Sequence, residues 1–176
     1  LSIVIEKEDP DNPQIVDFFN FDQKQLDLYY EGFFSKNETK EEIYTYGERI
    51  FDWDGVDQAE LMIQKLQRFD HDRGALAVLW KPHKDNFPPA NEDTQYLGQT
   101  KKWRVPCLVM ILGQVMGGRF DMTAVFRNND VFGAWPLNAF GLRKFQKMIA
   151  HKIGRELGSL TTIAHIAEIY DLNWED

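Results

Sequence analysis

The residues of this chain best suited to chemistry are its single cysteine, Cys107, a following arginine, Arg127, and a short loop of acid and amide side chains beyond it. A single cysteine in an apolar run ordinarily serves as a small core hydrophobe. Two features give Cys107 a second reading. Pro106 has no backbone N–H, so it interrupts ladder pairing and marks an edge or bulge, where a side chain can be aimed into a cleft. A hairpin pattern then leads through Gly117-Gly118 back to Arg127, close to opposite Cys107. A guanidinium beside a thiol favours the thiolate, which is the nucleophilic form. Taken alone, Arg127 reads equally well as a solvated strand end.

Residues 127–138 read Arg-Asn-Asn-Asp-Val-Phe-Gly-Ala-Trp-Pro-Leu-Asn. One reading is a capped loop with Asn138 near a helix start. The other is a ligand loop: the helix N-terminus for an anion or polar edge, Asp130 for a donor-rich ring, Asn138 for a bidentate amide contact. The four histidines, His71, His83, His151 and His165, have no metal-ligand spacing. No phosphate loop of the glycine-lysine kind occurs.

These residues need elements to hold them. A short apolar run covers residues 3–5. Asp22 and Gln25 have the spacing of a capping box for a helix over residues 23–34. A charged linker follows over 35–42. Residues 56–69 carry a helical stripe of Leu61, Ile63, Leu66 and Phe69. Residues 75–80 are continuously apolar and predict a buried strand. Residues 81–102 read as a long loop. Residues 105–116 and 119–127 form the hairpin, with Phe120, Met122, Ala124 and Phe126 alternating with Arg119, Asp121, Thr123 and Val125. A turn-rich connection over 128–136 leads to an amphipathic helix over 137–157, with Arg143 on its outer face and Gly158 as its stop. A last strand spans 159–170. Strands and helices mix without strict alternation, so the expected class is α+β, a mixed or antiparallel twisted sheet packed with helices in one domain over residues 1–176.

Bulk properties narrow the function. The chain has 43% hydrophobic and 27% charged residues, an ordinary globular balance. Its net charge of −8 disfavours broad phosphate-backbone binding, so nucleic acid is not an expected partner. A single nucleotide needs only a few local arginines. One cysteine excludes an internal disulfide and fits a reducing compartment. No signal peptide is visible and no apolar run is long enough to span a bilayer, so a cytoplasmic location is expected. Leu1 stands where a chain start would carry Met, and a longer parent protein is expected.

The motifs quoted above resemble those of thymidylate synthases and pyrimidine nucleotide hydroxymethylases. In that family arginine, aspartate and asparagine occur with the spacing of Arg127, Asp130 and Asn138, after a Pro-Cys placed as Pro106-Cys107 is. Tyr46-Gly47, Asp57-Gln58, the run from Asp72-Arg73 to Trp80, and Ile169-Tyr170 resemble further family motifs in the family's order. The resemblance implies a thymidylate synthase-like fold and covalent catalysis, in which Cys107 adds to C6 of a pyrimidine nucleotide and activates C5 toward the one-carbon unit of a methylene-tetrahydropterin. It implies that Arg127 binds the nucleotide phosphate and activates Cys107. Arg73 would reach the phosphate in the other subunit of a homodimer. Asn138 would read the base edge, Tyr170 would hold the ribose, Asp130 would bond the pterin, and Tyr46 would organise water for proton removal at C5.

The chain departs from the family pattern at several places. Gly74 replaces the second of two paired arginines. Asn128 stands in place of a serine that follows the phosphate arginine, and Glu168 in place of a histidine before the last tyrosine. Leu108 follows the cysteine where a histidine is common. Glu31, followed by Gly-Phe-Phe, is a candidate for a catalytic glutamate, but a surface charge on its helix is the expected reading. The resemblance is greatest to the short archaeal-type branch, with methylene-tetrahydrofolate or methylene-tetrahydromethanopterin as cofactor. The expected activity converts dUMP to dTMP. The alternatives are a hydroxymethylase acting on a different nucleotide, and a nucleotide-binding or dimerisation domain without activity.

Overall fold

The computed structural model describes residues 1–7, 9–19, 21–36, 44–86 and 105–170. Five strands, β1 (Ser2–Ile5), β2 (Leu76–Val78), β3 (Leu108–Met116), β4 (Arg119–Asp130) and β5 (Glu156–Glu168), form one sheet in the order β1-β5-β4-β3-β2. The β4–β5 pair is parallel and the other pairs are antiparallel. Helices α1 (Gln23–Phe34), α2 (Tyr46–Phe51), α3 (Gln58–Arg68), α4 (Pro82–Asp85) and α5 (Trp135–Lys152) complete the fold. The class is α+β, with a mixed sheet. Among the described residues no helix is long and apolar enough to cross a membrane.

Helix α1 starts at the capping box read from the sequence. Asp22 accepts from the N–H of Gln25, and Gln25 accepts from the N–H of Asp22. The hairpin turns at Gly117-Gly118, both at positive φ, which matches the twist of the two strands. Phe120, Met122, Ala124 and Phe126 are all buried under α5 and α3 with Ile111, Met62, Phe145 and Ile149.

Several elements differ from the sequence reading. Strand β2 is an edge strand rather than a doubly buried one: Ala75, Ala77 and Leu79 are buried while Leu76 and Val78 are exposed. In α3 the buried stripe is Ala59, Met62, Ile63 and Leu66, so Leu61 and Phe69 face solvent. The short helix α2 was not expected. Strand β4 runs on through Asn128 to Asp130, because β5 is available to pair with those residues. Most of the expected 81–102 loop lies outside the described residues.

Helix α5 begins at Trp135, with Pro136 in its first turn, and ends at Lys152. Gly154, at φ 66°, takes the stop assigned above to Gly158. Gly158 instead lies in β5, where a Cβ would stand 2.2 Å from Asp121 Oδ1 and 2.6 Å from Phe120 O. Arg143 is buried, not outward, and donates to the carbonyls of Gly158 and Glu6. Gln146 donates to Phe120 O and Ser159 O. These polar side chains satisfy carbonyls where the β4–β5 register shifts between Phe120 and Met122.

Gly158→Ala is expected to destabilise the fold by about 1–3 kcal/mol, because the backbone contact cannot yield without displacing β4. A thermal or urea melt checks this, with Gly154→Ala as a comparison of different cause.

Candidate active site

The end of β3 is irregular, with a register shift between Leu108 and Met110, and Cys107 lies just before it. The N–H of Arg127 donates to Cys107 O at 2.9 Å, which fixes the two residues side by side. The Arg127 side chain then turns back over the cysteine. Its Nε donates to Pro106 O at 3.0 Å, and Nη2 reaches Val105 O at 3.1 Å and Cys107 Sγ at 3.8 Å. The guanidinium also lies 5.8 Å from the centre of the Trp80 ring.

Three tyrosines crowd this end of the sheet. The Tyr46 hydroxyl accepts from the N–H of Leu108 at 3.3 Å. Tyr44 donates to Val105 O and shares a hydrogen bond with Tyr46. Tyr29, from α1, donates to Asn138 Oδ1 at 2.5 Å. Tyr46 is near enough to interact electrostatically with Tyr29, Tyr44 and Cys107. Burial pushes the Tyr44 phenol up to about 12 and the Tyr46 phenol well above its ordinary value, so both are neutral at physiological pH.

On the other side, Asn128 Nδ2 donates to Glu168 Oε1 at 2.5 Å. Glu168 hydrogen-bonds Tyr170, which raises that phenol. Asp130 acts first as a turn residue: its Oδ1 accepts from the N–H groups of Phe132 and Gly133. Tyr170 is near enough to feel Asp130, Glu168 and Cys107. The structure therefore brings Cys107, Arg127, Tyr46, Asn128, Asp130, Asn138, Glu168 and Tyr170 to one end of the sheet. Arg73 is not among them. It lies at the start of β2, in a groove with His71, Leu112, Gln114 and Thr123. Glu31 is exposed on α1. Asn128, which stands where the family has a serine after the phosphate arginine, spends an amide N–H on Glu168.

Sequence reasoning missed Tyr29 and Tyr44, and named Trp80 only as the end of a motif, with no role beside Arg127. Tyr29 sits one helical turn before Phe33, a spacing that does not separate a site residue from a core aromatic. Also missed was the ion cluster behind Trp80. Lys81 is fully buried and binds Glu48 and Asp54, each at 3.0 Å; Arg49 binds Asp85 in a two-pronged pair. This cluster ties α2 to the chain just after β2, and so holds Trp80 against Arg127. Among the described residues no group of three or more His, Cys, Asp or Glu is placed to hold a metal ion.

The thiol does not have the expected ionisation. Burial pushes Cys107 up, Arg127 pulls it down, and the Glu168 carboxylate pushes it up again; the net direction is upward. Cys107 is therefore a thiol at neutral pH in the ligand-free chain. Its alkylation by iodoacetamide is expected to follow a pH midpoint above that of an ordinary cysteine. Arg127→Ala is expected to move that midpoint higher, and Glu168→Gln to move it lower. Stopped alkylation read by mass spectrometry across the pH range checks both signs.

The profile of the family described as thymidylate synthase matches residues 12–176. A protein of Methanosarcina barkeri (strain Fusaro / DSM 804) named "Putative thymidylate synthase" is 34% identical, over 99% of this chain and 75% of its own length. A protein of Methanothermobacter marburgensis with the same name is 31% identical, over 94% of this chain and 67% of its own. The crystal structure of thymidylate synthase from T4 phage superposes with a TM-score of 0.59 at 22% identity. The match takes in 72% of this chain and 39% of the phage chain, so the likeness is one of fold. The chain belongs to the thymidylate synthase family.

Proposed function

We propose that this chain transfers a one-carbon unit to C5 of a pyrimidine nucleotide, dUMP to dTMP, through a covalent adduct on Cys107. The observation that carries this reading is the Cys107–Arg127 pair, with sulfur and guanidinium 3.8 Å apart beside three tyrosines and an amide. A C5 carbon of uracil is inert until a nucleophile adds at C6. Cys107 supplies that nucleophile: its small thiolate fraction is intrinsically reactive. Arg127 favours the thiolate and offers its remaining N–H groups to the nucleotide phosphate. As sulfur adds to C6, charge develops over C5 and O4, and the amide of Asn138 is the donor for O4. Tyr46, neutral at working pH, orders water for removal of the C5 proton. Elimination of Cys107 then restores the ring and the free enzyme. Tyr170 and Glu168 take the sugar hydroxyls.

The one-carbon donor is a methylene-tetrahydropterin, folate or methanopterin, which supplies the carbon and, for a methyl product, the hydride. The residues fit such a group. Asp130 Oδ1 is committed to the turn, while Oδ2 meets no donor among the described residues, and a carboxylate oxygen so placed suits a donor-rich pterin ring.

A homodimer is part of the proposal. The sheet face opposite the helices exposes Val4, Leu76, Val78, Met116 and Ile163. An apolar sheet face of this kind suits pairing with a second copy. Arg73 opens onto that side, away from Cys107 of its own chain, and so would serve a partner's site. A second reading, a hydroxymethylase on a different nucleotide, draws support from Glu168: a carboxylate held by Asn128 near Cys107, with Gly74 removing one guanidinium, alters the phosphate and sugar ends of the site.

Tritium release from C5-labelled dUMP in the presence of methylene-tetrahydrofolate or methylene-tetrahydromethanopterin tests the reaction. Cys107→Ala is expected to lower it by more than about 1,000-fold; unchanged release would remove Cys107 from the mechanism. Ile163→Asp is expected to shift the assembly from dimer to monomer in sedimentation velocity.

A further inference from the structure

Trp80 is held at three points. The carbonyl of Leu79, before it, accepts from Arg49 Nη1 at 3.2 Å, and the N–H of Lys81, after it, donates to Asp85 Oδ2 at 2.6 Å. Arg49 and Asp85 then grip each other through two hydrogen bonds of 3.0 and 2.9 Å. The indole N–H donates to Asn86 Oδ1 at 3.0 Å, one residue past Asp85. Both backbone flanks of Trp80 are thus fixed by one buried ion pair, and its ring edge by the neighbour of that pair. Arg49 also lies 5.7 Å from the centre of the Tyr44 ring. Tyr44 donates to Val105 O, the carbonyl that Arg127 Nη2 also binds. The Arg127 guanidinium therefore has two aromatic neighbours, and Arg49 supports each of them.

We propose that Trp80 is a positioning residue, preset by the Arg49–Asp85 pair, that keeps the Arg127 guanidinium turned to Cys107 Sγ before any nucleotide arrives. The force is the attraction of a guanidinium for the face of an indole, here at 5.8 Å. It matters because the reach from Arg127 to sulfur is long, 3.8 Å, and falls to one nitrogen, Nη2, that also serves Val105 O. A small swing of the guanidinium toward solvent ends that contact. Arg127 is the only cation whose charge bears on the sulfur among the described residues. The charged or titratable groups that face Cys107 are Arg127, Glu168, Tyr44, Tyr46 and Tyr170. Arg49 and Lys81 are not among them. Any influence of the buried ion cluster on the sulfur therefore passes through Trp80 or Tyr44.

The test is the rate of Cys107 alkylation by iodoacetamide across the pH range, in the full chain without nucleotide. The variants are Trp80→Leu, Trp80→Phe, Arg49→Lys, Arg127→Ala and the double variant Trp80→Leu with Arg127→Ala. The rate at high pH, where the sulfur is fully ionised, reads access. The ratio of the neutral-pH rate to it reads the thiolate fraction. Trp80→Leu is expected to lower that fraction about threefold, the worth of one cation–π contact. Trp80→Phe keeps an aromatic face and is expected to recover most of it. Arg49→Lys keeps the charge but gives up the two-pronged grip, and is expected to fall with Trp80→Leu. Adding Trp80→Leu to Arg127→Ala is expected to change nothing further. An unchanged fraction in Trp80→Leu overturns the inference, as does an equal loss in Trp80→Phe or a further loss in the double variant. A loss in Trp80→Leu with none in Arg49→Lys overturns the presetting by the Arg49–Asp85 pair. The measurement uses no nucleotide, so it stands apart from the reaction proposed above: tritium release reads that reaction, and its absence would leave this result in place.

Discussion

One backbone hydrogen bond sets the arrangement of the site: Arg127 N–H to Cys107 O at 2.9 Å. It closes the hairpin at the end away from the Gly117-Gly118 turn, and it lies next to the irregularity at Leu108. A slip of one residue in this register would send Arg127 to the opposite face of the sheet. The guanidinium then binds Pro106 O and Val105 O, carbonyls that the irregular strand end would otherwise leave without a strand partner. Arg127 is therefore both the structural cap of the strand and the charge beside the sulfur.

The electrostatics around that pair are balanced rather than one-sided. Burial disfavours the thiolate, the guanidinium favours it, and Glu168 opposes the guanidinium. A thiol kept mostly protonated is protected from adventitious oxidation, and a bound nucleotide can alter the balance by changing what surrounds it. Behind the site, Lys81, Glu48, Arg49 and Asp85 form a buried ionic cluster. Breaking one member of such a cluster leaves an uncompensated charge, which typically costs about 3–5 kcal/mol. That makes α2, the end of β2 and α4 a firm support for Trp80 and Tyr46.

What could be read from the sequence followed from local rules. The Asp22 capping box, the Gly117-Gly118 hairpin and the alternation along β4 depend on neighbours within a few residues, and each gave the observed element. The proximity of Cys107 and Arg127 followed from the hairpin alone. The errors arose where a distant partner decides. Arg143 resembles a surface residue on a helical wheel, but β5 and the N-terminal segment supply buried carbonyls for it. Gly158 resembles a helix stop, but Asp121 and Phe120 leave no room for a side chain there. Strand β4 extends past Arg127 because β5 lies beside it. Tyr29 and the Lys81 cluster carried no local signal, since their partners are 109 and 33 residues away.

The central claim is that Cys107 becomes covalently bonded to C6 of a pyrimidine nucleotide. A C5-fluorinated deoxyuridylate allows the addition but cannot lose a proton from C5, so the adduct should accumulate. Intact-mass and peptide mapping after incubation with 5-fluoro-dUMP and either methylene-tetrahydropterin measures it directly. A mass increase confined to the peptide bearing Cys107, and absent in Cys107→Ala, is the expected result. An unmodified chain with both pterins, or an adduct that persists in Cys107→Ala, would contradict it.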